Sequence, residues 1–211
     1  FMAEEVTLGD VDLTTVKART VSGIVTLISR SFLLQFVATG GFLALSIFLG
    51  RPEIGLFIAV NDLVSILGYF SDIGLAASLI QKKDQVTLSD LRTTFTIQQI
   101  IVVLLISLSL FLSSWLFNFY HIVGGGTWLF YGLLAAFFLA SLKTVPSVIL
   151  ERKLQFKELA AVEVVETIIF YGIAVFLAWR GGGVISYAWA VIFRGLVGTI
   201  MIYWLSPWKI G

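Results

Sequence analysis

Seven charged side chains fall inside stretches that are otherwise almost wholly apolar: Arg30, Asp62, Asp72, Lys143, Glu163, Glu166 and Arg194. An Arg, Lys or Asp at the centre of a membrane helix costs ~2.5–3.5 kcal/mol on insertion scales, so each is expected to face a partner or a wet cavity. Arg30, Lys143 and Arg194 are candidates for neutralising an anion, and Arg suits phosphate because its planar fork of donors meets two oxygens together. The carboxylates Asp62, Asp72, Glu163 and Glu166 are candidates for ion pairing or for taking up a coupling proton. Arg194, central in the last apolar stretch, is the leading cavity cation. Lys143 has a second reading, in which its long stem snorkels to the membrane surface. Glu163 also has one, as a carboxylate near the positive end of a helix dipole.

Six long apolar stretches must position these groups. They are Val21–Gly50, Glu53–Ile80, Thr93–Phe117, Gly126–Leu150, Leu159–Trp179 and Val184–Leu205. Each reaches the ~20 residues that a helix needs to cross a ~30 Å hydrocarbon core. The runs are continuous rather than alternating every second residue, which favours helices over a β-barrel. The sequence therefore predicts an all-α membrane protein with six transmembrane helices. Residues 1–20 form an N-terminal segment, 21–205 the membrane lobe and 206–211 a short end. The joining loops are short, so consecutive helices run antiparallel.

Composition agrees with this. Hydrophobic residues make up 58% and charged residues 13%, with a mean hydropathy of +0.99. Soluble domains carry about 25% charged residues. From Thr93 to Leu142 there is no Asp, Glu, Lys or Arg. The chain has no cysteine and one histidine, so neither a disulfide framework nor a thiolate or histidine metal site is expected. The net charge of +1 gives no reason to expect nucleic acid. The acidic start (Glu4, Glu5, Asp10, Asp12) and the length of the first apolar run argue against a cleavable signal peptide. Phe1 ahead of Met2 reads as a tag remnant or a cut from a longer reading frame.

Orientation follows from the cations. Lys17, Arg19, Lys82, Lys83, Arg92, Arg152, Lys153, Lys157 and Lys209 fall on one side, against Arg51 and Arg180 on the other. The positive-inside rule places both termini in the cytoplasm. Trp115, Trp128, Trp179, Trp204 and Trp208 lie near span ends, where an aromatic belt is expected. At ~1.5 Å per residue, Arg30 lies ~7.5 Å and Asp72 ~9 Å to the cytoplasmic side of their helix centres, a depth at which they can pair. Lys143 and Glu163 share a similar depth, and Glu166 and Arg194 both lie closer to the midplane. Pro146 is expected to kink its helix, and Gly40–Gly41 is a second weak point. Gly124–Gly126 and Gly181–Gly183 are external turns; neither follows a strand, so neither reads as a phosphate loop. No Walker, zinc or nucleophile–base motif is present, and no enzyme is expected.

Four segments carry a family resemblance. Asp72-Ile-Gly-Leu-Ala-Ala-Ser-Leu-Ile-Gln-Lys-Lys-Asp84, with Leu88-Ser-Asp-Leu-Arg-Thr-Thr-Phe95, resembles bacterial polysaccharide flippases. These are the polysaccharide transporter branch of the multidrug/oligosaccharidyl-lipid/polysaccharide exporter superfamily. Arg51-Pro-Glu-Ile-Gly-Leu56 resembles that family's turn after the first helix, Leu150-Glu-Arg-Lys-Leu-Gln-Phe-Lys-Glu-Leu-Ala160 its fourth-to-fifth helix loop, and Trp204-Leu-Ser-Pro-Trp-Lys209 the close of its sixth helix. They occur in the family's order. One departure is that Phe48 stands where members often carry Arg, with Arg51 beside the proline instead. Another is length, because the chain resembles only the N-terminal half of a two-lobed flippase fold.

The resemblance implies translocation of an undecaprenyl-pyrophosphate-linked oligosaccharide across the bacterial plasma membrane, by alternating access and without a cofactor. Arg30, Arg194 and Lys143 are then substrate-binding cations. The implied partners are the lipid-linked oligosaccharide, membrane lipids, a C-terminal half of the same chain and the polysaccharide polymerase or export machinery. Two other classes stay open: a small-molecule or drug exporter of the same superfamily, and a non-transporting six-helix scaffold or partner of a glycan synthase.

Overall fold

A computed structural model of the chain describes residues 13–72, 77, 79–80, 87–153 and 155–206, with side chains from residue 28 onward, Asp72 excepted. The described residues form seven helices and no strand: α1 (Leu13–Phe48), α2 (Arg51–Asp72), α3 (Leu88–Phe111), α4 (Ser113–Phe119), α5 (Gly125–Arg152), α6 (Phe156–Trp179) and α7 (Ile185–Leu205). All but the short α4 are long and apolar enough to cross a membrane, so the protein is multi-pass.

The third span begins earlier and breaks earlier than its hydropathy predicts. Thr87 and Asp90 make a capping box: the Thr87 N–H donates to Asp90 Oδ2 at 2.9 Å, and the Asp90 N–H donates to Thr87 Oγ1 at 3.2 Å. Two orphan donors are satisfied this way, so the helix starts at Leu88 rather than Thr93. It ends at Phe111, and the chain resumes as α4, where Trp115 and Phe119 stack with centroids 5.3 Å apart.

α7 packs between α5 and α6; α6 carries α1 on its other side, while α5 carries α2 and α3. The sequential helices α1 and α2 thus attach mainly to different partners. The main core joins Leu45 of α1 and Leu49 just past its end, Val60 and Val64 of α2, Phe130 and Leu133 of α5, Phe170 and Ala174 of α6, and Tyr187 and Val191 of α7. Helices approach closely where a residue is small. A Cβ on Gly132 would lie 3.1 Å from the carbonyl oxygen of Ala188, so α5 and α7 meet backbone to backbone there. Near the glycine turns, the ring of Phe57 stacks on Tyr187 at 4.0 Å. Large apolar side chains such as Phe32, Phe36, Ile47, Leu104 and Trp204 point outward, as lipid-facing surfaces should.

Polar groups between helices are mostly paired. Gln98 Nε2 donates to Thr144 Oγ1 at 2.8 Å and Gln99 Nε2 to Ser141 Oγ at 3.1 Å, tying α3 to α5. Arg152 Nη1 donates to the carbonyls of Leu79 and Ile80 at 2.6 and 3.2 Å, and so ties the end of α5 to the chain beyond α2. At the opposite end, the Gly50 N–H donates to Glu53 Oε2 at 2.8 Å and caps the start of α2. The other oxygen of Glu53 faces Gly183, where a Cβ would come within 2.8 Å and where φ is +52°. The Pro-Glu turn and the last glycine turn are therefore fitted to each other, and only glycine suits the second. α5 runs unbroken through Pro146.

Candidate functional site

α6 presents Glu163, Glu166, Thr167, Phe170 and Tyr171 at spacings of three and four, so they share a face. That face lines a cleft of about 570 Å³, completed by Ser31, Gln35 and Ala38 of α1, Lys143 and Ser147 of α5, and Arg194 of α7. The walls are helices whose outer surfaces are apolar, so the charges in the cleft are concentrated within spans that otherwise carry few.

Glu166 is the centre of the charge arrangement. It is only 4% exposed. Its Oε1 accepts from the Lys143 ammonium, and its Oε2 lies 3.6 Å from Arg194 Nε. The carboxylate fits because α7 carries Gly198 opposite: a Cβ there would overlap Glu166 Oε1. Lys143 has a side chain only 19% exposed, so it is an ion-pair partner and not a snorkelling cation. Arg194 is different. Its side chain is 49% exposed, and its guanidinium carbon sits 5.9 Å from the Phe170 ring centroid. It therefore keeps free surface toward the cleft while one side is held by Glu166 and the ring.

One turn away, Glu163 pairs with Arg30 of α1. Glu163 lines the cleft and Arg30 flanks it, with its Nε buried and without a hydrogen-bond partner among the described residues. Among the described residues, the two cations and two carboxylates that line the cleft balance, and the flanking Arg30 brings the cluster to an excess of one positive charge. In a medium of low dielectric this excess favours an anion over a cation beside the cluster.

The structure thus brings together five of the seven sequence candidates: Arg30, Lys143, Glu163, Glu166 and Arg194. Glu166 pairs with Arg194 at the shared depth read from the sequence, but Lys143 joins Glu166 and not Glu163. Asp62 is exposed on α2, outside the cleft lining, with no ion pair to any described residue. The expected Arg30–Asp72 pair lies outside the described residues, because the Asp72 side chain is not among them. Sequence reasoning missed Ser31, Gln35 and Thr39, a polar stripe on α1 in which Gln35 Nε2 donates to Thr39 Oγ1 at 3.3 Å. Their spacing of four within an apolar run was the available signal. It also missed Tyr171, which lines the cleft, and Gly198.

No curated protein and no solved structure matches the chain. A family model described as polysaccharide biosynthesis protein matches residues 44–211, covering five of the six spans, the charged cleft's α5, α6 and α7, and all four segments on which the loop resemblance rests. The chain belongs to the polysaccharide biosynthesis protein family.

Proposed function

We propose that the protein moves an undecaprenyl-pyrophosphate-linked oligosaccharide across the bacterial plasma membrane, with both termini cytoplasmic. The observation that carries this reading is the cluster of three cations against two carboxylates, at and beside a cleft inside an apolar helix bundle. A pyrophosphate carries the negative charge such a site lacks, and the half-exposed Arg194 offers it a planar fork of donors. Lys143 and Arg30 add charge as they exchange Glu166 and Glu163 for phosphate oxygens. The polar stripe Ser31–Gln35–Thr39 offers hydrogen-bonding groups to a sugar. The lobe would rock against a second lobe, a C-terminal half of the same protein, so that the cleft opens to each side in turn. The protein is a transporter in this reading, without bond-making chemistry of its own.

Export in cells lacking their own flippase tests this. The full-length protein is expected to restore surface polysaccharide, and the double variant Lys143→Gln/Arg194→Gln at equal membrane abundance is expected not to. Full restoration by the double variant would overturn the reading.

A further inference from the structure

Two weak contacts hold the Arg194 guanidinium. Its Nε stands 3.6 Å from Glu166 Oε2, an ion pair too long to be a hydrogen bond. Its central carbon lies over the Phe170 ring, 5.9 Å from the centroid. Among the described residues, Nη1 and Nη2 make no hydrogen bond and no ion pair. The Phe170 ring is itself held in place. It is buried, and three other rings surround it: Tyr171 of α6 edge-on at 5.0 Å, Phe57 of α2 at 6.1 Å and Tyr187 of α7 at 6.3 Å. The Tyr171 ring rests in turn on Gly41 of α1, where a Cβ would overlap it. Four helices thus fix one ring, and that ring lines the cleft.

We propose that Phe170 is a positioning residue for the anion: its ring keeps the Arg194 guanidinium from closing onto Glu166, so that both terminal nitrogens stay open to a pair of phosphate oxygens. The proposal rests on the anion-binding reading of the cleft. The argument is one of competition. Glu166 is buried and already accepts from Lys143, and its second oxygen faces Arg194. A flexible Arg beside a buried carboxylate gains most by a two-pronged pair, which would occupy its fork. The negative face of the ring draws the guanidinium the other way. An Arg ordered before the ligand arrives also loses less rotamer freedom on binding it. An aliphatic side chain of similar bulk would fill the same space and do neither.

The test measures inorganic pyrophosphate binding to the full-length protein in detergent, with mono-, di- and trifluorinated phenylalanine in place of Phe170. Fluorine depletes the negative face of the ring while nearly keeping its shape, so the core stays packed. Affinity is expected to fall stepwise with fluorine number, to about fivefold at the end of the series, with the melting temperature unchanged. In an Arg194→Gln background, titrated at higher pyrophosphate, the series is expected to have no further effect, because Phe170 acts through Arg194. Equal affinity across the series would overturn the proposal. So would the same stepwise loss in Arg194→Gln, since the ring would then meet the ligand itself. If wild type binds no pyrophosphate, the anion reading of the cleft fails, and the hold of the ring on Arg194 is decided separately by NMR of isotope-labelled arginine. The ring-current displacement of the Arg194 Nε–H proton is expected to vanish in Phe170→Leu, and its persistence there would overturn that hold.

Discussion

The hydroxyl of Tyr203 on α7 donates to the carbonyl of Leu142 on α5 at 3.1 Å. Leu142 precedes Pro146 by four residues, so its carbonyl is the one that the proline deprives of a helical N–H partner. The neighbouring helix supplies the missing donor. Thr199 Oγ1 donates likewise to Leu139 one turn earlier, at 3.2 Å. This explains how α5 continues to Arg152 with a proline inside it. It also locks α7 against the helix that carries Lys143.

Tyr203→Phe is therefore expected to destabilise the protein by about 1 kcal/mol, within the range seen for hydrogen bonds between membrane helices. In a Pro146→Ala background the same change is expected to cost less, because Leu142 regains its own partner. Thermal unfolding of the four proteins in detergent, read as a double-mutant cycle, checks this. Additive effects would contradict it.

Gly198→Ala is expected to be far more damaging than its size implies. The added methyl would take the seat of the Glu166 carboxylate, which must then leave Lys143 and Arg194. Separating a buried carboxylate from its partners costs on the order of 3–5 kcal/mol. Gly195→Ala, whose Cβ would meet the Leu139 side chain at 3.0 Å, is expected to cost clearly less. Comparison of their melting temperatures decides the matter.

Glu166→Gln removes the internal anion that competes for Lys143 and Arg194. Pyrophosphate affinity is expected to rise at least about tenfold, ~1.4 kcal/mol, because the buried carboxylate no longer holds the two cations. Transport is expected to fall, because a ligand held more tightly leaves more slowly. Titration with inorganic pyrophosphate reads the first effect, and weaker binding would count against a competing role.

Glu53→Ala should cost about 1 kcal/mol as a lost helix cap. Gly183→Ala should cost more, since it both meets Glu53 and forces a left-handed φ on a residue with a side chain. If Glu53→Ala also relieves part of the Gly183→Ala penalty in the double variant, the fit between the two turns is established.

The six spans were legible because hydrocarbon imposes length and composition on any helix that crosses it, and TM spans in the structure fall on the predicted stretches. The start of α3 was legible in principle too, from the Thr87–Asp90 spacing, but hydropathy alone places it at Thr93. Ion-pair partners were less legible for a physical reason. Depth along a helix axis follows from counting residues, whereas the direction a side chain faces depends on which helices pack together. Glu163 and Glu166 are three residues apart on α6, yet one reaches Arg30 of α1 and the other Lys143 of α5 and Arg194 of α7. Matching depths gave Arg194–Glu166 and misassigned Lys143. Asp62 matched no depth and found no described partner. The seat at Gly198 exists only once α6 and α7 are assembled.

The most direct measurement is translocation of a fluorescent undecaprenyl-pyrophosphate-linked oligosaccharide in vesicles containing the full-length protein, comparing wild type with Arg194→Gln. Loss of one charge-assisted hydrogen-bonding cation removes ~1.5–3 kcal/mol of anion binding, so flipping at limiting substrate is expected to drop about ten- to a hundredfold while the melting temperature stays near that of wild type. Wild-type flipping rates in Arg194→Gln would show that the cleft's positive charge does not carry the substrate.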